Sequence, residues 1–175
     1  MKKLLIIGAI LLAINISQAC NRKNQQTPDP SAVSKTFNGK VVAIKDGDTF
    51  VILEDRNQIT VRLSDIDCPE KKQPFGNKEK QFASELCFGK YVTVKRKSRN
   101  DRYGRMIAEV FLGDICVNKE LVKNGLAWHF TKYSNDQSYY DLEQSARRNK
   151  LGLWNDKSPT PPWEWRVPKK ANPGK

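Results

Sequence analysis

Between Asn38 and Leu63 the chain passes through three short apolar stretches, each too brief for a helix and each divided from the next by a polar turn. Asn38 to Lys45 leads into Val41, Val42, Ala43 and Ile44, Asp46-Gly47 is a turn signal, and Thr49 to Leu53 is rich in β-branched and aromatic residues, so the first two stretches read as a hairpin. Glu54-Asp55-Arg56-Asn57 makes a second turn, after which Ile59, Val61 and Leu63 alternate with Thr60, Arg62 and Ser64, the period of a strand with one buried face. Three consecutive strands joined this closely form a meander. Pro69 closes the third strand, and Phe82, Leu86 and Cys87 then fall at helical spacing within Asn77 to Phe88, with Gly89 as the stop signal.

Strand character returns at Tyr91, Val92 and Val94 and again from Arg105 to Leu112, across the polar loop Ser98 to Gly104. Asn118 to Asn124 and Gln137 to Lys150 read as helices ended by Gly125 and Gly152. An α+β fold follows, with five antiparallel strands and a helix after the third. That is the order of a five-stranded OB-fold β-barrel, here with three helices.

The barrel does not start at the first residue. Lys2 and Lys3 precede an uncharged apolar run from Leu4 to Ile16 and the small-residue site Ser17-Gln18-Ala19, which reads as a signal peptide over residues 1–19. The run is shorter than the ~18 apolar residues of a membrane-spanning helix and is broken by Asn15. Cys20 directly after Ala19 resembles a bacterial lipobox, with Ser17 where that pattern usually has Leu; plain secretion with cleavage near Ala19 is the alternative. Residues 20–35, rich in Asn, Gln, Thr, Pro and Ser, suit a lipoprotein-type tether. The expected location is therefore the cell envelope, exported and lipid-anchored, with contact to a membrane only through a lipid on Cys20. Residues 36–155 form the domain, and 156–175 a Pro/Trp-rich tail in which Pro-Pro-Trp-Glu-Trp-Arg is expected to pack a short extended piece onto the barrel.

Charge narrows the function. The formal net charge is +12, a surplus that points to anionic partners, and the single histidine, His129, excludes paired catalytic histidines, His-rich zinc sites and HExxH helices. Chemistry must rest on carboxylates, Arg, Lys or Tyr. Residues 46–70 hold seven acids against two arginines, whereas residues 71–105 hold eleven bases against three acids. Glu54 and Asp55 suit a solvated turn. Asp46, Asp48, Asp67 and Glu70 lie at strand ends that can converge, where they would repel one another unless a hard cation such as Ca²⁺ sat among them. A metal beside a basic rim suggests a phosphodiester substrate. Cys68, Cys87 and Cys116 match no zinc spacing; at most one bridge can form among them, and small buried hydrophobes are the other reading.

Four ordered motifs carry a resemblance: Asp46-Gly47-Asp48-Thr49, Arg62-Leu63-Ser64-Asp65-Ile66-Asp67-Cys68-Pro69-Glu70, Asp101-Arg102-Tyr103-Gly104-Arg105, and Asn124-Gly125-Leu126-Ala127. Over residues 37–155 the chain resembles the staphylococcal nuclease (thermonuclease) family. The resemblance implies a calcium-dependent endonuclease on an OB-fold barrel, acting on DNA and RNA as a monomer and leaving 3′-phosphate and 5′-hydroxyl ends. By motif position, Asp48, Asp67 and the backbone carbonyl of Cys68 look like Ca²⁺ ligands, with Asp46 in an outer shell. Glu70 resembles the carboxylate that positions or deprotonates the attacking water, and Arg62 and Arg105 resemble the pair that binds the scissile phosphate. Arg102 and Tyr103 match contacts to a terminal phosphate and Tyr133 a nucleotide-stacking ring. Thr131 stands where the best-known member has a second Tyr, so Trp128 or His129 is a candidate replacement, with an ordinary exposed or packed imidazole as the other reading of His129. Cys68 departs from the usual Thr. The competing function is a catalytically inactive OB-fold module that binds nucleic acid; joint presence of Asp48, Asp67, Glu70, Arg62 and Arg105 argues against it.

Overall fold

The structure, a computed structural model, describes residues 36–167. The expected signal peptide, Cys20 and the tether up to Lys35 lie outside the described residues, as does the tail beyond Val167. Within them, no helix is long and apolar enough to cross a membrane.

The meander comprises β1 (Thr36–Asp46), β2 (Thr49–Glu54) and β3 (Asn57–Leu63), with turns where the polar residues placed them. A two-residue strand β4 (Ile66–Asp67) precedes helix α1 (Lys78–Cys87); β5 (Tyr91–Arg96), β6 (Met106–Leu112) and the short β7 (Ile115–Cys116) follow. The remaining elements are α2 (Val117–Lys123), β8 (Trp128–His129), α3 (Gln137–Arg148), a 3₁₀ turn (Gly152–Asn155) and α4 (Pro162–Trp165). The long β1 pairs with β2 along its second half and with β5 along its first, which lets one strand serve both sides of the barrel. Closure comes from β3 against β6, in register Val61↔Met106 and Leu63↔Ala108, and this pair is parallel. The expectation of five antiparallel strands is corrected at that seam, because an odd-membered ring cannot alternate direction all the way round.

Side chains alternate accordingly. Val41, Phe50, Ile52, Val61, Val94 and Val110 are buried inside the barrel, where Ala83 and Cys87 of α1 and Val117, Leu121 and Val122 of α2 join the same core. A second apolar cluster stands apart from it: Trp128, Ala146, Leu153 and Trp154, with Phe75 and Trp163 packed on its edge. Trp128 meets Trp154 edge-on at 4.4 Å and Trp163 at 5.6 Å, Phe130 stacks on Trp163 at 5.2 Å, and the Arg147 guanidinium lies 3.7 Å from the Trp154 ring centre. This aromatic annex docks the C-terminal segment. The expected extended piece is instead the single helical turn α4, because Pro162 at its start presets the helical φ where no N–H partner is needed.

Candidate active site

The β1–β2 turn brings the first carboxylate to the barrel end. Gly47 is required there: a Cβ on it would lie 2.1 Å from Cγ of Glu79. Asp48 follows, buried at the start of β2, and the ladder sets Thr49 opposite Arg62 on β3. Arg62 is the hub. Its Nη1 donates to the carbonyls of Leu63 (2.8 Å) and Ile66 (3.0 Å), its Nη2 donates to Asp67 Oδ1 (2.9 Å), and the same Nη2 lies 3.0 Å from Asp48 Oδ2. Asp48 is further held by the Thr49 hydroxyl (3.0 Å) and the Cys68 N–H (3.2 Å). That Thr49 hydroxyl in turn accepts from Arg105 Nη1 at 3.2 Å, while Arg105 Nε donates to Asp101 at 2.7 Å. Despite burial, hydrogen bonds from Arg105 and the Tyr103 backbone hold Asp101 below the usual carboxylate range, so it is a fixed anion that aims Arg105.

Thus Asp48, Asp67, Arg62 and Arg105 converge at one barrel end. Asp67 is fully buried, with Oδ1 shared between guanidiniums and Oδ2 without a hydrogen-bond partner. Burial pushes its carboxyl above the ordinary range, against the pull of Arg166 and Arg62. An orphaned buried carboxylate oxygen, adjacent to a second carboxylate, is where a hard cation would be expected to bind. Among the described residues no three His, Cys, Asp or Glu side chains form a ready cage. Asp48 and Asp67 could therefore hold a cation only with backbone oxygen and water completing the shell. Cys68 is a free, buried thiol whose pKa is driven up by burial and the nearby Asp48 charge, which leaves its carbonyl as the hard donor it can offer. Asp46 is exposed at the rim, consistent in position with an outer contributor.

Glu70 stands on the loop after β4, its side chain 42% exposed. Two residues that sequence reasoning left without a role meet it or its neighbours. Arg166, just past α4, donates through Nε to Glu70 Oε1 and through Nη2 to Asp67 Oδ1 at 2.7 Å. Glu79 of α1 is buried, with Oε2 unpartnered; burial, and then Asp48 and Asp46, push its carboxyl up to about 7. Its position in an apparently ordinary amphipathic helix concealed it, although placement on the apolar Ala83–Cys87 face was a signal. For Arg166 the aromatic-proline anchor beside it was the signal.

On the substrate side, Tyr103 (68% exposed) and Tyr133 (71% exposed) present largely exposed rings. Arg102 donates to the Tyr103 hydroxyl at 2.7 Å, and Tyr103 and Arg105 line an open groove with Asp46 and Thr49. Tyr133 packs edge-on against Phe130 at 4.9 Å. Trp128 and His129 do not replace the missing stacking ring: both are buried, Trp128 in the annex and His129 bonded to Ser134 through ring Nε2 (3.0 Å), with its backbone N–H donating to Glu143 (2.7 Å). The packed reading of His129 holds, because β8 pairs with β4 and both of its faces are covered, that of Trp128 by the annex and that of His129 by Ser134 and Tyr139. Cys68, Cys87 and Cys116 are all free.

Comparison with known proteins places this geometry in context. The family described as "Staphylococcal nuclease homologue" matches residues 60–156, just over half of the chain. An uncharacterized endonuclease of Haemophilus influenzae is 37% identical over 169 residues, covering 96% of this chain and 88% of that protein. A micrococcal nuclease of Shigella flexneri is 40% identical over 141 residues, covering 74% and 80% respectively. The staphylococcal-like nuclease CAN1 of Arabidopsis thaliana is 30% identical over 165 residues, which is 92% of this chain and 48% of that longer protein.

Proposed function

The chain belongs to the staphylococcal nuclease family, and on that premise we propose that it is a calcium-dependent endonuclease that cuts DNA and RNA to leave 3′-phosphate and 5′-hydroxyl ends. One observation carries the reading: Arg62 bridges Asp48 and Asp67 while Thr49 links Asp48 to Arg105, so two carboxylates and two guanidiniums share one barrel end.

Calcium held by Asp48 and Asp67 would supply a fixed positive charge at the phosphodiester. The protein's own groups do the rest. Arg62 and Arg105, each tied down by carboxylates, face a phosphate with guanidiniums that need little reorganisation as charge grows on its oxygens. The planar fork of Arg105, engaged through Nε and Nη1, leaves Nη2 to a phosphate, while Arg62, whose Nη groups bind Leu63, Ile66, Asp67 and Asp48, contributes chiefly its fixed charge. Glu70, partly exposed at the edge of the cluster, takes a proton from water as its oxygen attacks phosphorus; the P–O5′ bond breaks and the departing 5′ oxygen takes a proton from solvent to leave as the hydroxyl. Arg102, Tyr103 and Tyr133 are exposed where a flanking nucleotide could rest on a ring. Lys2, Lys3 and the apolar run to Ile16 support export and Cys20 supports a lipid anchor; action as a monomer belongs to the same proposal.

Digestion of labelled single-stranded DNA and RNA, with Ca²⁺ or with EGTA, tests the reading. Cleavage in Ca²⁺ alone with 3′-phosphate ends is expected. Turnover in excess chelator would reject the metal, and binding without cleavage would make the chain a nucleic-acid-binding module.

A further inference from the structure

Glu70 is the residue asked to handle the proton, yet the barrel does not hold its carboxylate. Among the described residues its side chain is bound by Arg166 alone, a residue 96 positions later in the chain. The same guanidinium reaches Asp67 Oδ1. Arg166 thus grips one oxygen of each carboxylate. The second oxygen of each stays open: Oδ2 of Asp67 has no partner, and Glu70 is engaged through Oε1.

The contact is built into the fold. Trp163, three residues before Arg166, is clasped between Phe130 and Trp128, and Pro162 is buried. Gln73 makes a second link from tail to loop, accepting from the Glu70 N–H at 3.1 Å and donating to the Thr160 carbonyl. The loop itself is wound tightly enough that a Cβ on Gly76 would fall 2.0 Å from the Glu70 carbonyl oxygen. Backbone and side chain of Glu70 are therefore both tied to the C-terminal segment.

We propose that Arg166 is a positioning residue of the active site, delivered by the C-terminal segment to hold Glu70 in register with Asp67. The proposal rests on the nuclease reading and on Glu70 as the base. A free carboxylate on an exposed side chain samples several rotamers, and a misplaced base by about 1 Å can lose about 10²-fold in rate. A guanidinium that binds both carboxylates removes that freedom while leaving each an oxygen for its task.

Full-length protein decides the matter through Arg166→Gln, Glu70→Gln and the double variant, assayed on single-stranded DNA in saturating Ca²⁺. Arg166→Gln is expected to lower kcat by roughly 10- to 100-fold with KM nearly unchanged. Because the residue acts through Glu70, adding it to Glu70→Gln should cause almost no further loss. Arg166→Lys, which keeps the charge but not the fork, should recover only part of kcat. Calcium titrated by calorimetry should bind Arg166→Gln at least as tightly as wild type, since a like charge beside Asp67 has gone. Full additivity with Glu70→Gln would make Arg166 a phosphate contact and overturn the proposal. So would a rise in activity, which would mark an inhibitory plug, an unchanged kcat, or a fall in calcium affinity as large as the fall in kcat. Absence of wild-type turnover, by contrast, would strike the nuclease reading itself.

Discussion

The barrel and the aromatic annex bring charged groups to the same place by different means. Asp48, Arg62 and Arg105 stand on or beside strands whose backbone ladders close a ring, so their spacing is set by hydrogen bonds that cannot shift one at a time. Arg166 arrives on a segment held by ring contacts among Trp128, Phe130 and Trp163 and by the Gln73 bridge. The barrel should therefore set the overall stability, while the annex should be able to loosen locally without unfolding it. Placement of the phosphate-binding groups belongs to the first region and orientation of the base to the second.

The largest effect should follow from Arg62→Gln, which leaves Asp48 and Asp67 facing each other without their shared guanidinium. Cleavage should fall by about 10³, and metal-free protein should lose about 3–5 kcal/mol in urea denaturation; retention of both would deny the barrel end its hub. Leu121→Ala, in the core on α2, should cost about 3 kcal/mol while the folded fraction keeps its kcat. A matching loss of kcat would mean that core and site are not separable.

The third test concerns Glu79, whose carboxyl is pushed up to about 7 from an ordinary 4.5. A raised acid keeps its proton in the folded state after the unfolded chain has lost it, so stability falls as pH rises through that window. In EGTA, wild type should lose about 2–3 kcal/mol between these values relative to Glu79→Gln, read from denaturation midpoints. Parallel pH profiles for the two proteins would remove the buried charge from the account. The smallest effect, Trp163→Ala, should lower kcat by about tenfold through Arg166 and Glu70, with little change in the melting temperature of the barrel. If melting drops as far as for Leu121→Ala, the annex is part of the main cooperative unit.

Much of the barrel side was legible in advance. Alternation at Ile59, Val61 and Leu63 identified a half-buried strand, Asp46-Gly47 identified its hairpin turn, and four short motifs marked the charged groups that the structure brings together. The annex side was legible only in part. Trp163 was expected to pack, but not as a helical turn, and nothing local said that Arg166 would meet Asp67 across 99 positions. Trp128 and His129 looked available because β8 is only two residues long, too short for alternation to reveal which way they face.

The amino-acid pattern alone determined the five barrel strands and the three longer helices, the turns between the first strands, and which acids and arginines lie at their ends. Periodicity and turn chemistry act between near neighbours, so a reader of the chain meets them directly. Tertiary structure decided the parallel β3–β6 seam, the burial of Glu79 and the grip of Arg166 on Glu70. Those depend on which distant surface covers an apolar face or a charge, and a one-dimensional pattern records that a face must be covered without recording what covers it.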